Sequence, residues 1–226
     1  MDIAREFERL GPWVTKFEIE GVGSGGSFDA LNDARISQFF DAFPETRSVL
    51  ELGALEGGHS FALANGPNVE RVVALEVRDE NLARANFIKH ALGDQKVEFV
   101  QGNVEDCDLS RYGEFDAVFC SGILYHLPEP WKLIEKCRGA GPRIFIWTQY
   151  CCENEARRSH GGYRGKWWKE GGWRDPLSGV SKWSFWLSMG SLVNILTENR
   201  YSSITIIENN RDHPHGCAVT LAASGE

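Results

Sequence analysis

The chain of 226 residues is 42% hydrophobic and carries a formal net charge of −8; this suits one large core, or a domain with an elaborate insertion, and argues against nonspecific adhesion to nucleic acid. No run of about eighteen apolar residues is present, which argues against a membrane-spanning helix, and the opening "MDIAREFERLGPW" lacks the continuous apolar stretch of a secretory signal. The six cysteines, at 107, 120, 137, 151, 152 and 217, form no CxxC pair, so the expectation is free thiols in a cytoplasmic protein, with neither a disulfide framework nor a zinc site.

Residues 18–30, "EIEGVGSGGSFDA", are glycine-rich with no strand before them and read as a flexible connection. The spacing of Ala30, Ala34, Ile36 or Ser37, and Phe40 predicts a helix over 29–41 capped by Asp29. From residue 47 strands and helices alternate. Strands are predicted at 47–52 "RSVLEL", 71–77 "RVVALEV", 96–102, 115–122 and 142–149, with helices at 57–65, 78–92 and around 130–137. Helix 78–92 carries Leu82, Ala85, Phe87 or Ile88, and Leu92 on one side. Apolar strands separated by helices predict an α/β fold whose parallel sheet is covered on both faces. The pattern breaks after Trp147 and resumes with a helix at 188–199 and strands at 202–208 and 217–223. Only "NNRDHPHG" joins those last two strands, too short for a crossover, so they are expected to be antiparallel neighbours.

In such a sheet a ligand sits beyond the carboxyl ends of the strands. The turn after the first strand reads Gly53-Ala54-Leu55-Glu56-Gly57-Gly58. Gly53 allows a sharp turn, and Gly57 and Gly58 are expected to clear space where a ligand approaches. This is not the GxGxxG of a dinucleotide site: Leu55 stands at the second glycine, and Glu56 places negative charge where a pyrophosphate would lie. Glu76, ending the second strand, offers two acceptor oxygens to ribose hydroxyls. Asn103 follows the third strand and suits an adenine amino group, while Glu51 and the Gly53 backbone face an amino-acid moiety. Ribose, adenine, an amino acid and no phosphate together describe S-adenosylmethionine.

With "VLELGALEGG", "ALEVRDENLARAN", "GNVED" and "FDAVFCSGILYHLPEP" in this order, the chain resembles the class I S-adenosylmethionine-dependent methyltransferases of the bacterial small-molecule type. It is also somewhat similar to enzymes that alkylate the wobble uridine of transfer RNA. The resemblance runs from about Val49 to the C-terminus, and departs from the family pattern at Leu55, where a glycine is usual, and at Asn103, where an aspartate is usual. It implies a three-layer Rossmann-like sheet, mostly parallel, closed by a terminal antiparallel strand. A single methyltransferase domain over 1–226 is expected, with an N-terminal helical cap over 1–44 and a Trp-rich lid insertion over 148–187. It further implies that Ala54, Val77, Val104 and Ser121 line the cofactor beside the residues named above.

Methyl transfer from a sulfonium is a direct displacement, so the chain must align a nucleophile, exclude water and, for a protonated acceptor, supply a base. His126, after the fourth strand in "ILYHLPEP", is the candidate base; packing in the loop is the competing role. Six of the eight tryptophans fall at 147–186. There Trp168 and Arg164, with Tyr125, Tyr150 and His215 nearby in the expected fold, are candidates to hold an aromatic or anionic acceptor; a satellite core with a solvated charged face is the plain alternative. No metal site is expected. The expected partner is a small-molecule acceptor at an oxygen or nitrogen, without membrane or nucleic acid, and a homodimer is left open. An RNA acceptor is the second reading, and an NAD(P)-dependent reductase or a silent ligand-binding module the third.

Overall fold

Buried apolar runs build the parallel strands of the computed structural model, which describes residues 1–225. The chain divides into two units, Met1–Asn103 and Val104–Glu226.

In the first unit, Asp2 caps α1 (Ile3–Leu10) by accepting from the Arg5 amide at 3.1 Å. Residues 18–23 are not a flexible connection. They form a hairpin of β1 (Glu18–Ile19) and β2 (Val22–Gly23), turning through Glu20 and Gly21, both at positive φ, as a tight two-residue turn requires. The helix predicted from residue 29 starts later as well: Ala30–Asn32 is one 3-10 turn, and Asp33, not Asp29, caps α2 (Ala34–Ala42) by accepting from the Arg35 amide at 2.9 Å. Asp33 wins because it also pairs with Arg35 and with His59, so one partly buried carboxylate fixes both the helix start and its neighbour.

Three parallel strands follow, β3 (Ser48–Leu52), β4 (Arg71–Glu76) and β5 (Val97–Gln101), in that spatial order. They alternate with α3 (Gly58–Ala64) and α4 (Asp79–Leu92). Helix α4 ends at Gly93, whose φ of +67° suits the left-handed cap. Its buried apolar side is Ala85, Phe87 and Ile88, whereas Leu92, in the last turn, is exposed. Edge-to-face contacts run from Phe7 to Trp13 and Phe87, and from Phe17 to Phe61 and on to Phe99. The N-terminal segment is thereby packed on α3, α4 and β5 by aromatic burial.

In the second unit, β6 (Ala117–Ser121) leads through a 3-10 turn at Leu124–His126 into α5 (Pro130–Ala140), with proline in the first turn, where a missing amide hydrogen costs nothing. Then comes β7 (Arg143–Gln149), parallel to β6. The Trp-rich stretch is regular: β8 (Arg158–His160), β9 (Tyr163–Lys169) and β10 (Trp183–Leu187) make a three-stranded antiparallel sheet in the order β10-β9-β8. After α6 (Met189–Glu198), β11 (Ser203–Asn210) and β12 (Ala218–Ser224) pair antiparallel, as the short connection requires, and β12 is antiparallel to β7 too. The fold is α/β, with parallel strands between helices and antiparallel terminal strands.

The expectation of free thiols is corrected at one pair: Cys152 is bonded to Cys217, with Cα atoms 6.6 Å apart. Neighbouring Cys151 and Cys152 do not bond each other. The antiparallel pairing of β7 and β12 sets the Tyr150 amide 2.9 Å from the Cys217 carbonyl, and this brings Cys152 beside a partner 65 residues away. Spacing along the chain gave no sign of it. No helix is long and apolar enough to cross a membrane among the described residues.

Candidate active site

The first unit supplies the glycine turn and the carboxylates around it. The amides of Gly53 and Ala54 both donate to the Leu75 carbonyl at 2.9 Å, which pins the turn to the end of β4. Leu55 adopts a left-handed φ of +51°, at a cost of about 1 kcal/mol for a residue with a Cβ. Its amide donates to Glu76 Oε2 at 2.8 Å, and this charge-assisted bond offsets the strain. Glu76 Oε1 accepts from the Val77 and Arg78 amides, each at 2.9 Å. Glu76 therefore shapes the turn and keeps only part of its acceptor capacity for a ligand. Burial raises its pKa, against the lowering by those backbone bonds.

Two expectations for the turn are revised. Glu56 does not place its charge at the mouth of the loop. It is fully buried and accepts from the Val14 and Thr15 amides at 2.6–3.1 Å, with Arg84 3.7 Å away. Nor do Gly57 and Gly58 clear space for a ligand: a Cβ on Gly57 would fall 2.7 Å from the Phe99 ring, and one on Gly58 2.5 Å from the Ala30 Cβ. Both glycines serve close packing within the unit, and Gly57 in addition holds φ +85° ahead of α3.

Glu51 is 1% exposed and accepts from the Ser60 hydroxyl. Burial pushes its carboxyl up to about 8, the Ser60 bond opposing and the Glu76 charge adding. A buried acid with no cation beside it in the unit suits a ligand that brings an ammonium group. The arrangement fits the amino-acid end of S-adenosylmethionine. Ala54 is buried, while Gly53, Val77 and Asn103 are partly exposed at the carboxyl ends of the strands.

The second unit holds the candidate base. His126 Nδ1 lies 2.9 Å from Glu170 Oε2. Glu170 belongs to the Trp-rich segment and is itself buried; its Oε2 also accepts from Ser178 Oγ at 2.6 Å and the Gly179 amide at 2.8 Å, and its Oε1 from Ser184 Oγ at 2.5 Å. Burial acts to raise the Glu170 pKa, but the bonds from His126, Ser178 and Ser184 prevail and lower it to about 2. Sequence reasoning missed Glu170: a charged residue in "WWKEGGW" reads as a solvated face, and its partner is 44 residues away.

Beside this pair the Tyr125 ring sits 4.1 Å from His126, and edge-on to Trp147 and Trp186 at 5.9 and 6.0 Å. Trp168 stacks on Trp186 at 4.8 Å. The Trp186 indole nitrogen is buried with no hydrogen-bond partner among the described residues. Tyr125, Trp168 and His126 are thus brought into one neighbourhood. Tyr150 is not exposed to it in the same way: it is 4% exposed, and its hydroxyl donates to Asn209 at 2.7 Å. Arg164 bonds the Ala156 carbonyl at 3.0 Å and lies 3.7 Å from Glu153. His215 is exposed and reaches the aromatic group only through His213, which contacts Trp147. Ser121, at the end of β6, and Val104 are partly exposed, the Val104 carbonyl accepting from Lys136 at 3.2 Å.

Residues 45–169 match the family model described as a methyltransferase domain. The chain belongs to this methyltransferase family. The N-terminal domain of EvdMO1, solved in the presence of SAH and D-fucose, is similar at 34% identity with a TM-score of 0.90, over 100% of this chain and 98% of that one. A ubiquinone biosynthesis O-methyltransferase of Vibrio parahaemolyticus is 29% identical over 45% of this chain and 43% of its own length. A tRNA U34 carboxymethyltransferase of Campylobacter hominis is 25% identical over 46% of this chain and 36% of its own length. The chain thus spans less than half the length of these two curated relatives. The fold is Rossmann-like, as in the EvdMO1 domain solved with SAH.

Proposed function

We propose that this methyltransferase transfers the methyl group of S-adenosylmethionine to a hydroxyl oxygen of a small acceptor, with His126 as the base. The observation that carries the reading is the His126–Glu170 pair beside an aromatic group. Bound S-adenosylmethionine supplies an electrophilic methyl carbon on a sulfonium. His126 takes the hydroxyl proton on Nε2, and Glu170 balances the imidazolium that results. Tyr125 and Trp147, both partly exposed, and the exposed Trp168 offer flat apolar faces to an aromatic ring or to the C–H face of a sugar, and exclude water. Glu51 meets the ammonium of the cofactor, and the remaining capacity of Glu76 meets ribose, with Asn103 toward adenine and Ala54 and Val77 along the adenosyl group.

The relative solved with D-fucose supports a sugar hydroxyl as one acceptor type, and the O-methyltransferase relative supports transfer to oxygen. The tRNA relative favours RNA as the second reading. Against RNA, Lys166 is paired with Glu155 at 2.6 Å and Arg164 lies near Glu153, so these two cations of the segment are neutralised locally. Incubation with methyl-labelled S-adenosylmethionine and a panel of sugars including D-fucose, phenols, aromatic carboxylates and tRNA should label a small hydroxyl compound. Labelling of tRNA alone would reject the reading.

The buried acid gives the cofactor site a pH signature. Glu51 ionises near 4.5 in an unfolded chain and near 8 in the folded one. Between those values the unfolded state has released a proton that the folded state keeps, so the ligand-free protein should lose stability as pH rises through the window and level off above it. An ammonium ligand needs the ionised acid. Its affinity should therefore climb with pH toward 8, by up to about tenfold per pH unit. Calorimetric titrations with S-adenosylhomocysteine at pH 6, 7 and 8 check this. Glu51→Gln should flatten the dependence; an equal slope in that variant would separate Glu51 from the ligand.

A further inference from the structure

We propose that Glu170 is the positioning residue of the base: it fixes the proton of neutral His126 on Nδ1, so that Nε2 presents its lone pair to the acceptor, and it does so from the Trp-rich segment. The inference rests on His126 acting as base and goes beyond it, because it makes the base competent only when that segment is seated.

The hydrogen-bond geometry decides the tautomer. His126 Nδ1 lies 2.9 Å from Glu170 Oε2, and the Gly179 amide is 3.1 Å from the same Nδ1 and 2.8 Å from the same oxygen. A bare Nδ1 would set its lone pair against those of the carboxylate, a repulsive contact in a buried place. With the proton on Nδ1, the imidazole donates to Glu170, and the Gly179 amide takes the shorter of its two contacts, also to Glu170. The carboxylate stays ionised near neutral pH, held down to about 2 by its donors after burial is overcome. It therefore does not itself take the proton, and it balances the imidazolium that forms.

Glu170 is held within the segment, and the segment meets the loop of the base at two further places. Ser178 and Ser184 both donate to Glu170. The Phe185 amide in β10 donates to the Leu127 carbonyl, one residue past His126, at 2.8 Å. A Cβ at Gly179 would fall 2.5 Å from the His126 carbonyl oxygen, so the loop lies flat on the backbone of the base. During transfer a lone pair of the acceptor oxygen forms the new bond to the methyl carbon, the carbon–sulfur pair leaves with sulfur, and the hydroxyl proton moves to Nε2. The net result is a methyl ether, a neutral thioether and an imidazolium paired with Glu170.

Nitrogen-15 NMR of the imidazole, read at a pH where His126 is neutral, tests the proposal together with steady-state rates on the acceptor that the labelling panel identifies. The wild-type protein should show His126 protonated on Nδ1. Glu170→Ala should shift the proton toward Nε2 and lower kcat at least about tenfold, with the KM for S-adenosylmethionine within about twofold. Glu170→Gln retains a carbonyl oxygen for Nδ1–H; it should keep the tautomer and recover part of the rate, and it carries the test should the alanine variant not fold. A wild-type spectrum with the proton on Nε2, or full turnover in folded Glu170→Ala, overturns the proposal. His126→Ala separates the two ideas. If it turns over normally, the base reading fails and this one with it; if it is impaired while Glu170→Ala is not, only the role of Glu170 fails.

Discussion

Replacing His126 with alanine is expected to lower kcat by about a hundredfold or more, the scale on which a positioned proton acceptor acts, while the dissociation constant for S-adenosylhomocysteine stays within about twofold. The size follows from the surroundings. His126 has a buried carboxylate on one ring nitrogen, 2.9 Å away, and an aromatic neighbour at 4.1 Å, so the other nitrogen is the one left to chemistry. Single-turnover kinetics with the identified acceptor would measure the effect. Added imidazole should restore part of the rate in the space the ring leaves. Turnover at the wild-type level would assign His126 to packing.

The second large effect is expected at Glu76. Alanine there should weaken S-adenosylmethionine at least about tenfold, and lower stability by about 2 kcal/mol or more, since the amides of Leu55, Val77 and Arg78 lose their acceptor. The two losses share one origin. Leu55 holds its left-handed conformation with the help of Glu76, and without the carboxylate the turn relaxes. Glu76→Gln keeps one acceptor oxygen and should fall between. Chemical denaturation alongside calorimetry separates fold from ligand; an unaltered dissociation constant in a folded Glu76→Ala would remove ribose from its role.

What the sequence disclosed was local. The strand-turn-helix at 48–64, the acid closing β4 and the antiparallel pair at the C-terminus each depend on residues close together in the chain, where glycine, chain length and apolar runs constrain the backbone directly. Misreadings arose where a distant partner decides the matter. Glu56 reads as charge at the loop mouth because the amides that donate to it, those of Val14 and Thr15, lie about forty positions upstream. The Cys152–Cys217 bond depends on strand pairing, and Glu170 on a loop that turns back to His126. Asp29 and Asp33 both precede helix-compatible residues; only the side-chain bonds to Arg35 and His59 distinguish them.

The stacked indoles of Trp168 and Trp186, 25° from parallel, give this protein an intrinsic optical probe at the place where its acceptor is proposed to lie. Close, nearly parallel chromophores couple their electronic transitions, and Trp168 is half exposed while Trp186 is enclosed. Near-ultraviolet dichroism and emission colour thus register any compound that wedges between or beside the rings, without a label and without turnover.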